Sequence, residues 1–164
     1  MINTSDIIRK KTPLLDEKEL LDFVQSFIER KDQFIKCYEK YGSPLYTFDQ
    51  AALIRQLNKL KTAFETNFSD IRIYYATKSN NHPMMVKTMV ENGIGIDISS
   101  GKELKTALEA GASDIIFSGP GKQDEELELA LKNNKNVTVL IDSFGELERL
   151  AAVLDVEFLE IQGV

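Results

Sequence analysis

The sequence predicts an α/β fold with a parallel sheet assembled from repeating βα units. Three observations carry that prediction. Short apolar runs recur between residues 71 and 162, their starts spaced by roughly 20 residues. Each gap between them holds one helical pattern. Several of those patterns open on capping signals, and two close on glycine.

Residues 14 to 41 read as one helix, because Leu20, Val24, Phe27, Ile28, Phe34, Ile35 and Tyr38 recur at helical spacing before Gly42. Ser43-Pro44 then opens a short strand, "LYTF" (45–48). Asp49 caps a further helix with Ala52, Leu53, Leu57, Leu60 and Phe64 on its apolar side. Strand-like runs follow as "IRIYYA" (71–76), "IGIDI" (94–98), "DIIFS" (114–118), "VTVLID" (137–142) and "EFLEIQ" (157–162). "SGKE" from Ser100 and "SFGE" from Ser143 match the capping box, serine at the N-cap and glutamate three residues on. "DEELE" puts acids in a first helical turn, where the helix dipole favours them. Gly93 and Gly111 stop the helices before the second and third runs. This rhythm, about five βα units, fits an open doubly wound sheet or part of a (β/α)₈ barrel. A whole barrel takes about 250 residues, more than the 164 present.

Composition narrows the function classes. The chain is 43% hydrophobic and 28% charged, an ordinary globular balance. No apolar run approaches the ~20 residues that cross a bilayer, and the first residues lack the apolar core of a secretory signal. A net charge of -6 without a basic stripe argues against nucleic acid as partner. A single cysteine, Cys37, leaves no internal disulfide framework and fits a reducing compartment such as the cytoplasm; in a helix it reads as an ordinary core residue. A single histidine, His82, leaves no multi-histidine metal site and carries no catalytic role in this reading.

In either architecture chemistry collects at the carboxyl ends of the strands. Those ends carry Thr77 and Lys78, then Asp97, Ser99 and Ser100, then Ser118 and Gly119, then Asp142 and Ser143, then Gln162 and Gly163. A rim lysine with an aspartate one strand away suits covalent bonding to a carbonyl cofactor. Partial desolvation lowers an amine's pKa, and a nearby carboxylate orients its ammonium form. Plainer readings stand beside these. A strand-end lysine is commonly solvated. Asp97 and Asp142 could serve loop amides. Glu103 fits its capping box without any active site. "GPGK" (Gly119 to Lys122) lacks the spacing of a phosphate-binding Walker loop and reads as a turn.

Taken together, "YGSPLYTFD" (41–49), "YYATKSN" (74–80), "GIGIDISSGKEL" (93–104), "IIFSGPGKQDEEL" (115–127) and "IDSFGELERL" (141–150) resemble successive blocks of the fold-type III pyridoxal 5′-phosphate decarboxylases. That family includes the diaminopimelate, ornithine and arginine decarboxylases. The resemblance implies a partial (β/α)₈ TIM barrel of the alanine-racemase-like type. It implies that Lys78 carries pyridoxal 5′-phosphate covalently, that Asp97 lies beside it and that Glu103 supports the same site. It implies decarboxylation of a small amino acid, of diaminopimelate type by the wording of "GIGIDISSGKEL" and "FSGPGK", in an enzyme that is a homodimer when complete. Thr77 and Ser79 depart modestly from the commoner "A-V-K-A-N" form, and both remain small.

The same resemblance implies that residues 42–164 are the N-terminal part of the cofactor-binding barrel, after a helical extension at 1–41. The family's later barrel strands, phosphate site and β-domain with its catalytic cysteine are not in these residues, and Cys37 is not placed to replace that cysteine. Such a portion alone is expected to be inactive. Two alternatives stay open. One is a racemase or cofactor-handling protein on the same barrel, although "KSNNHP" after Lys78 differs from the racemase-like "AYGHG" run. The other is a non-catalytic flavodoxin-like α/β binding domain.

Overall fold

A computed structural model describes residues 16–154. Contacts among these residues separate into two compact units that meet between Phe48 and Asp49.

The first unit carries helices α1 (Glu17–Ile28) and α2 (Lys31–Tyr41). Asp16 caps α1 by accepting from the Lys18 amide at 2.9 Å and the Glu19 amide at 3.2 Å. The single helix expected over 14–41 is therefore two. The break falls at Arg30, whose backbone leaves the helical region (φ -103°, ψ 7°) and whose Nε donates to the Ser26 carbonyl at 2.8 Å. That bond satisfies a carbonyl α1 leaves open at its end, so the chain turns there without glycine or proline. Neither helix buries a residue, and Cys37 on α2 is half-buried rather than in a core. The stretch 45–48, expected as a strand, is irregular. A strand exists only where a neighbour completes its ladder, and the sheet of the described residues consists of the strands from Tyr74 onward.

The second unit starts with α3 (Gln50–Glu65), capped as expected by Asp49, whose Oδ1 accepts from the Ala52 amide at 2.9 Å. Then come β1 (Tyr74–Ala76), a 3₁₀ turn (Thr77–Ser79), α4 (Pro83–Glu91), β2 (Gly95–Ile98) and α5 (Gly101–Glu109). They are followed by β3 (Ile115–Phe117), α6 (Asp124–Lys132), β4 (Val137–Val139) and α7 (Phe144–Leu154). The strands form a four-stranded, wholly parallel sheet in the order β1-β2-β3-β4. Each is shorter than its apolar run, and the fifth run, 157–162, lies outside the described residues.

Register assigns the two faces. Ile96 and Ile98 on β2, with Ile115 and Phe117 on β3, are fully buried. They form the core with Leu57 of α3, Val86 and Met89 of α4, Leu104 and Ala107 of α5 and Ala130 of α6. The alternate residues make a row across the other face, Ala76 opposite Asp97, Asp97 opposite Ile116 and Ile116 opposite Thr138. Gly95 on that face lies under the Tyr74 ring. A Cβ there would stand 2.5 Å from two ring carbons, so only glycine admits the ring.

Helix starts follow the expected chemistry. The Ser100 hydroxyl accepts from the Glu103 amide at 3.4 Å, and that of Ser143 from the Glu146 amide at 3.2 Å. In both, the glutamate reaches one residue past the serine, to the amides of Ser99 (2.7 Å) and Asp142 (2.9 Å). His82 also caps a helix: its Nδ1 accepts from the Met84 amide at 3.2 Å, with Pro83 at the first helical position.

Candidate active site

The parallel sheet sends all four carboxyl ends to one rim. Lys78 sits there in the 3₁₀ turn directly after β1, where the chain leaves the ladder before α4. Its side chain is exposed, and among the described residues it makes no hydrogen bond or ion pair. Its neighbour Thr77 is buried, and the Thr77 hydroxyl donates to the Asp97 carbonyl at 3.0 Å. The turn that carries Lys78 is thus tied to β2 at Asp97.

Asp97 is in register with Ala76, the last residue of β1, so it lies at the same end of the sheet as Lys78. Its Oδ1 accepts from the Ser118 hydroxyl at 2.5 Å. Asp97 is half-buried on the face opposite the core. Glu103, half-buried on the first turn of α5, spends one carboxylate oxygen on the Ser99 amide. Thr77, Asp97 and Ser118 are therefore bonded together, and Glu103 shapes the loop after β2. The structure shows no bond from Lys78 to either carboxylate.

Further along the rim, Gly119 adopts φ 91°, and a Cβ on it would stand 3.3 Å from the Ser99 Cβ. The positive φ calls for glycine, and an added Cβ would crowd Ser99. Lys122, read from the sequence as part of a turn, is buried. Its Nζ donates to the carbonyls of Gly119 (2.8 Å) and Leu140 (2.7 Å), to Asp142 Oδ2 (3.3 Å) and to Glu146 Oε2 (3.1 Å), and lies 5.5 Å from the Phe117 ring centre. Burial alone would push the Glu146 carboxyl up, but the Asp142 amide and the Lys122 ammonium outweigh it. The group titrates below its ordinary 4.5. Arg149 closes the knot, donating to the Lys122 carbonyl at 2.6 Å and to Asp124 Oδ1 at 3.0 Å. Glu126 joins two helix starts, with Oε1 accepting from the Gly101 amide at 2.5 Å and Oε2 from the Gln123 amide at 2.9 Å.

Sequence reading missed Lys122, Glu126 and Glu146 as organisers of the rim. Each had a local signal, Lys122 in the turn "GPGK", Glu126 in the acidic first turn of α6 and Glu146 in the capping box of Ser143, and none of those signals points to the distant partners found here. Gln162 and Gly163 lie outside the described residues.

The amino end of the sheet has different chemistry. A cleft of about 130 Å³ there is lined by Lys61, Arg72, Gly95 and Asp114, among others. The Tyr74 hydroxyl donates to Asp114 at 2.9 Å; desolvation first, then that bond, raise its pKa, while its bond with Arg72 raises the guanidinium's. Lys61 Nζ there donates to the Asn92 carbonyl at 3.3 Å, so the amine of this cleft has a partner where Lys78 has none among the described residues.

The fit to an aldehyde-bearing cofactor follows from the donor set. At the end of β1 the rim presents an exposed primary amine, Lys78, without a partner among the described residues, and at the end of β2 a carboxylate, Asp97, bonded to a hydroxyl. An amine of that kind can bond to an aldehyde; an ion-paired and buried one cannot.

Fold and rim together define a class, the partial (β/α)₈ barrel with a lysine at the carboxyl end of its first described strand. Residues 50–161 match the family described as "Pyridoxal-dependent decarboxylase, pyridoxal binding domain". The chain belongs to that family. It is 32% identical over 121 residues to the diaminopimelate decarboxylase of Methanothermobacter thermautotrophicus, a match covering 73% of this chain and 28% of that enzyme. It is 36% identical over 114 residues to that of Bacillus subtilis, covering 68% and 26%. Among solved structures, the M. jannaschii diaminopimelate decarboxylase in complex with L-lysine aligns with a TM-score of 0.66 and 28% identity, over 74% of this chain and 29% of that one. The chain spans less than a third of the length of these relatives.

Proposed function

We propose that this chain contributes the lysine-bearing part of a pyridoxal 5′-phosphate-dependent decarboxylase acting on a small amino acid of diaminopimelate type. One observation carries the reading: Lys78 stands exposed and unpartnered among the described residues, at the strand end whose ladder partner is Asp97. In this reading Lys78 Nζ, in its neutral form, is the group that holds the cofactor covalently. The Asp97 carboxylate stands at the same end of the sheet, where it helps orient the bound group. Glu103 acts one step away, keeping the Ser99 loop folded against the rim. When bound, the cofactor supplies an electron sink for the pair left behind as the substrate's α-carboxylate departs as carbon dioxide.

The rest of the assignment rests on kinship. Diaminopimelate decarboxylases of two organisms align over about seven tenths of the chain, which favours decarboxylation over racemisation. A complete enzyme that is a homodimer of the cytoplasm is part of the same proposal. Consistent with it, among the described residues no helix is long and apolar enough to cross a membrane.

The test is chemical. The protein is incubated with pyridoxal 5′-phosphate, reduced with borohydride and digested for mass spectrometry. Preferential labelling of Lys78 is expected. Label spread evenly over exposed lysines such as Lys87 and Lys102, with no preference for Lys78, would overturn the proposal.

A further inference from the structure

The geometry points to Ser118 as a positioning residue of the lysine-bearing rim, one that aims the Asp97 carboxylate through its hydroxyl. The inference rests on the reading of Lys78 given above.

Ser118 is anchored before its side chain acts. Its amide donates to the Ile98 carbonyl at 2.8 Å, which fixes the residue against the end of β2. Its hydroxyl then reaches Asp97 Oδ1 at 2.5 Å, with a longer contact of 3.2 Å to the Ile98 carbonyl. A hydroxyl bonded to a carboxylate at that distance is a charge-assisted bond, stronger than a neutral one. The carboxylate would otherwise be free to rotate about its side-chain torsions.

The Asp97 backbone is held from the other side, by the Thr77 hydroxyl on its carbonyl. The residue is therefore gripped between the turn that carries Lys78 and the loop after β3. That loop cannot drift. Gly119 packs against Ser99, and the buried Lys122 ammonium holds the Gly119 carbonyl. A hydroxyl needed only for stability could have bonded the nearby backbone alone. This one is spent on the charged group of the neighbouring strand end.

Binding of pyridoxal 5′-phosphate is followed by the absorbance of its lysine adduct in the 164-residue chain, for wild type, Ser118→Ala, Ser118→Thr, Asp97→Asn and the double variant Ser118→Ala with Asp97→Asn. Far-UV circular dichroism checks that each is folded. Loss of a hydrogen bond to a charged group should weaken adduct formation by about tenfold or more in Ser118→Ala and shift its absorbance band. Ser118→Thr, which keeps the hydroxyl, should restore both. In the Asp97→Asn background, removing the hydroxyl should add little, because the two residues act as one unit. Wild-type behaviour in Ser118→Ala overturns the inference, as does full additivity in the double variant. If Ser118→Ala misfolds, equal impairment of the folded Ser118→Thr overturns it as well. Absence of a Lys78 adduct in wild type instead overturns the functional proposal itself, and this inference with it.

Discussion

Lys78 and Lys122 stand on the same rim, after β1 and after β3, and meet opposite fates. The first is exposed and free of partners among the described residues. The second is 2% exposed, with its ammonium shared among two carbonyls and two carboxylates. The contrast teaches how a rim divides labour between like residues. A buried amine whose donors are all engaged by carbonyls and carboxylates is closed to an incoming group and ties loops together. An amine left open to solvent has no structural duty and stays accessible to an incoming group.

The largest effect expected is at the first lysine. Lys78→Ala should abolish the specific cofactor adduct while leaving the free energy of urea unfolding unchanged within about 0.5 kcal/mol, the usual range for an exposed site. Label appearing on Lys122 in that variant would invert the contrast. At the second lysine the effect moves to stability. Lys122→Met leaves Glu146 buried without its cation and should cost about 3–5 kcal/mol in urea unfolding. Adding Glu146→Leu should recover much of the loss, since an apolar pair of similar volume needs no counter-charge. A variant at Lys122 that unfolds no more easily than wild type would show the knot to be ornamental. The smallest effect is a pH dependence. Because the folded Glu146 carboxyl titrates below its ordinary 4.5, its stabilisation is fully present above that value and is lost as the pH falls toward the lower, folded value. Acid titration of unfolding should therefore be shallower in Glu146→Gln than in wild type.

What the sequence disclosed was whatever is local. The parallel βα rhythm, the caps at Asp49, Ser100 and Ser143 and the stops at Gly93 and Gly111 are settled within a few residues of chain, and they form as expected. The place of Lys78 was legible for the same reason, since a strand ends and a turn begins around it. The break at Arg30 escaped notice because a side chain makes it, in a stretch without glycine or proline. The 45–48 stretch is rich in strand-favouring residues, and composition alone does not supply a ladder partner. Lys122 escaped because its partners come from the next βα unit, with Glu146 lying 24 positions further along the chain. His82 was passed over for its chemistry, yet its position before Pro83 marks a helix start that capping rules could have read.

Glu126 has a consequence of its own. One carboxylate receives the amide of Gly101 at the head of α5 and that of Gln123 at the head of α6, and Gly101 leaves room for it, since a Cβ there would come within 2.7 Å of the Glu126 Cγ. Two successive helices are thereby latched by a single side chain rather than by the strands beneath them. Deuterium uptake at those two amides should consequently rise and fall in step, as if one bolt secured both doors.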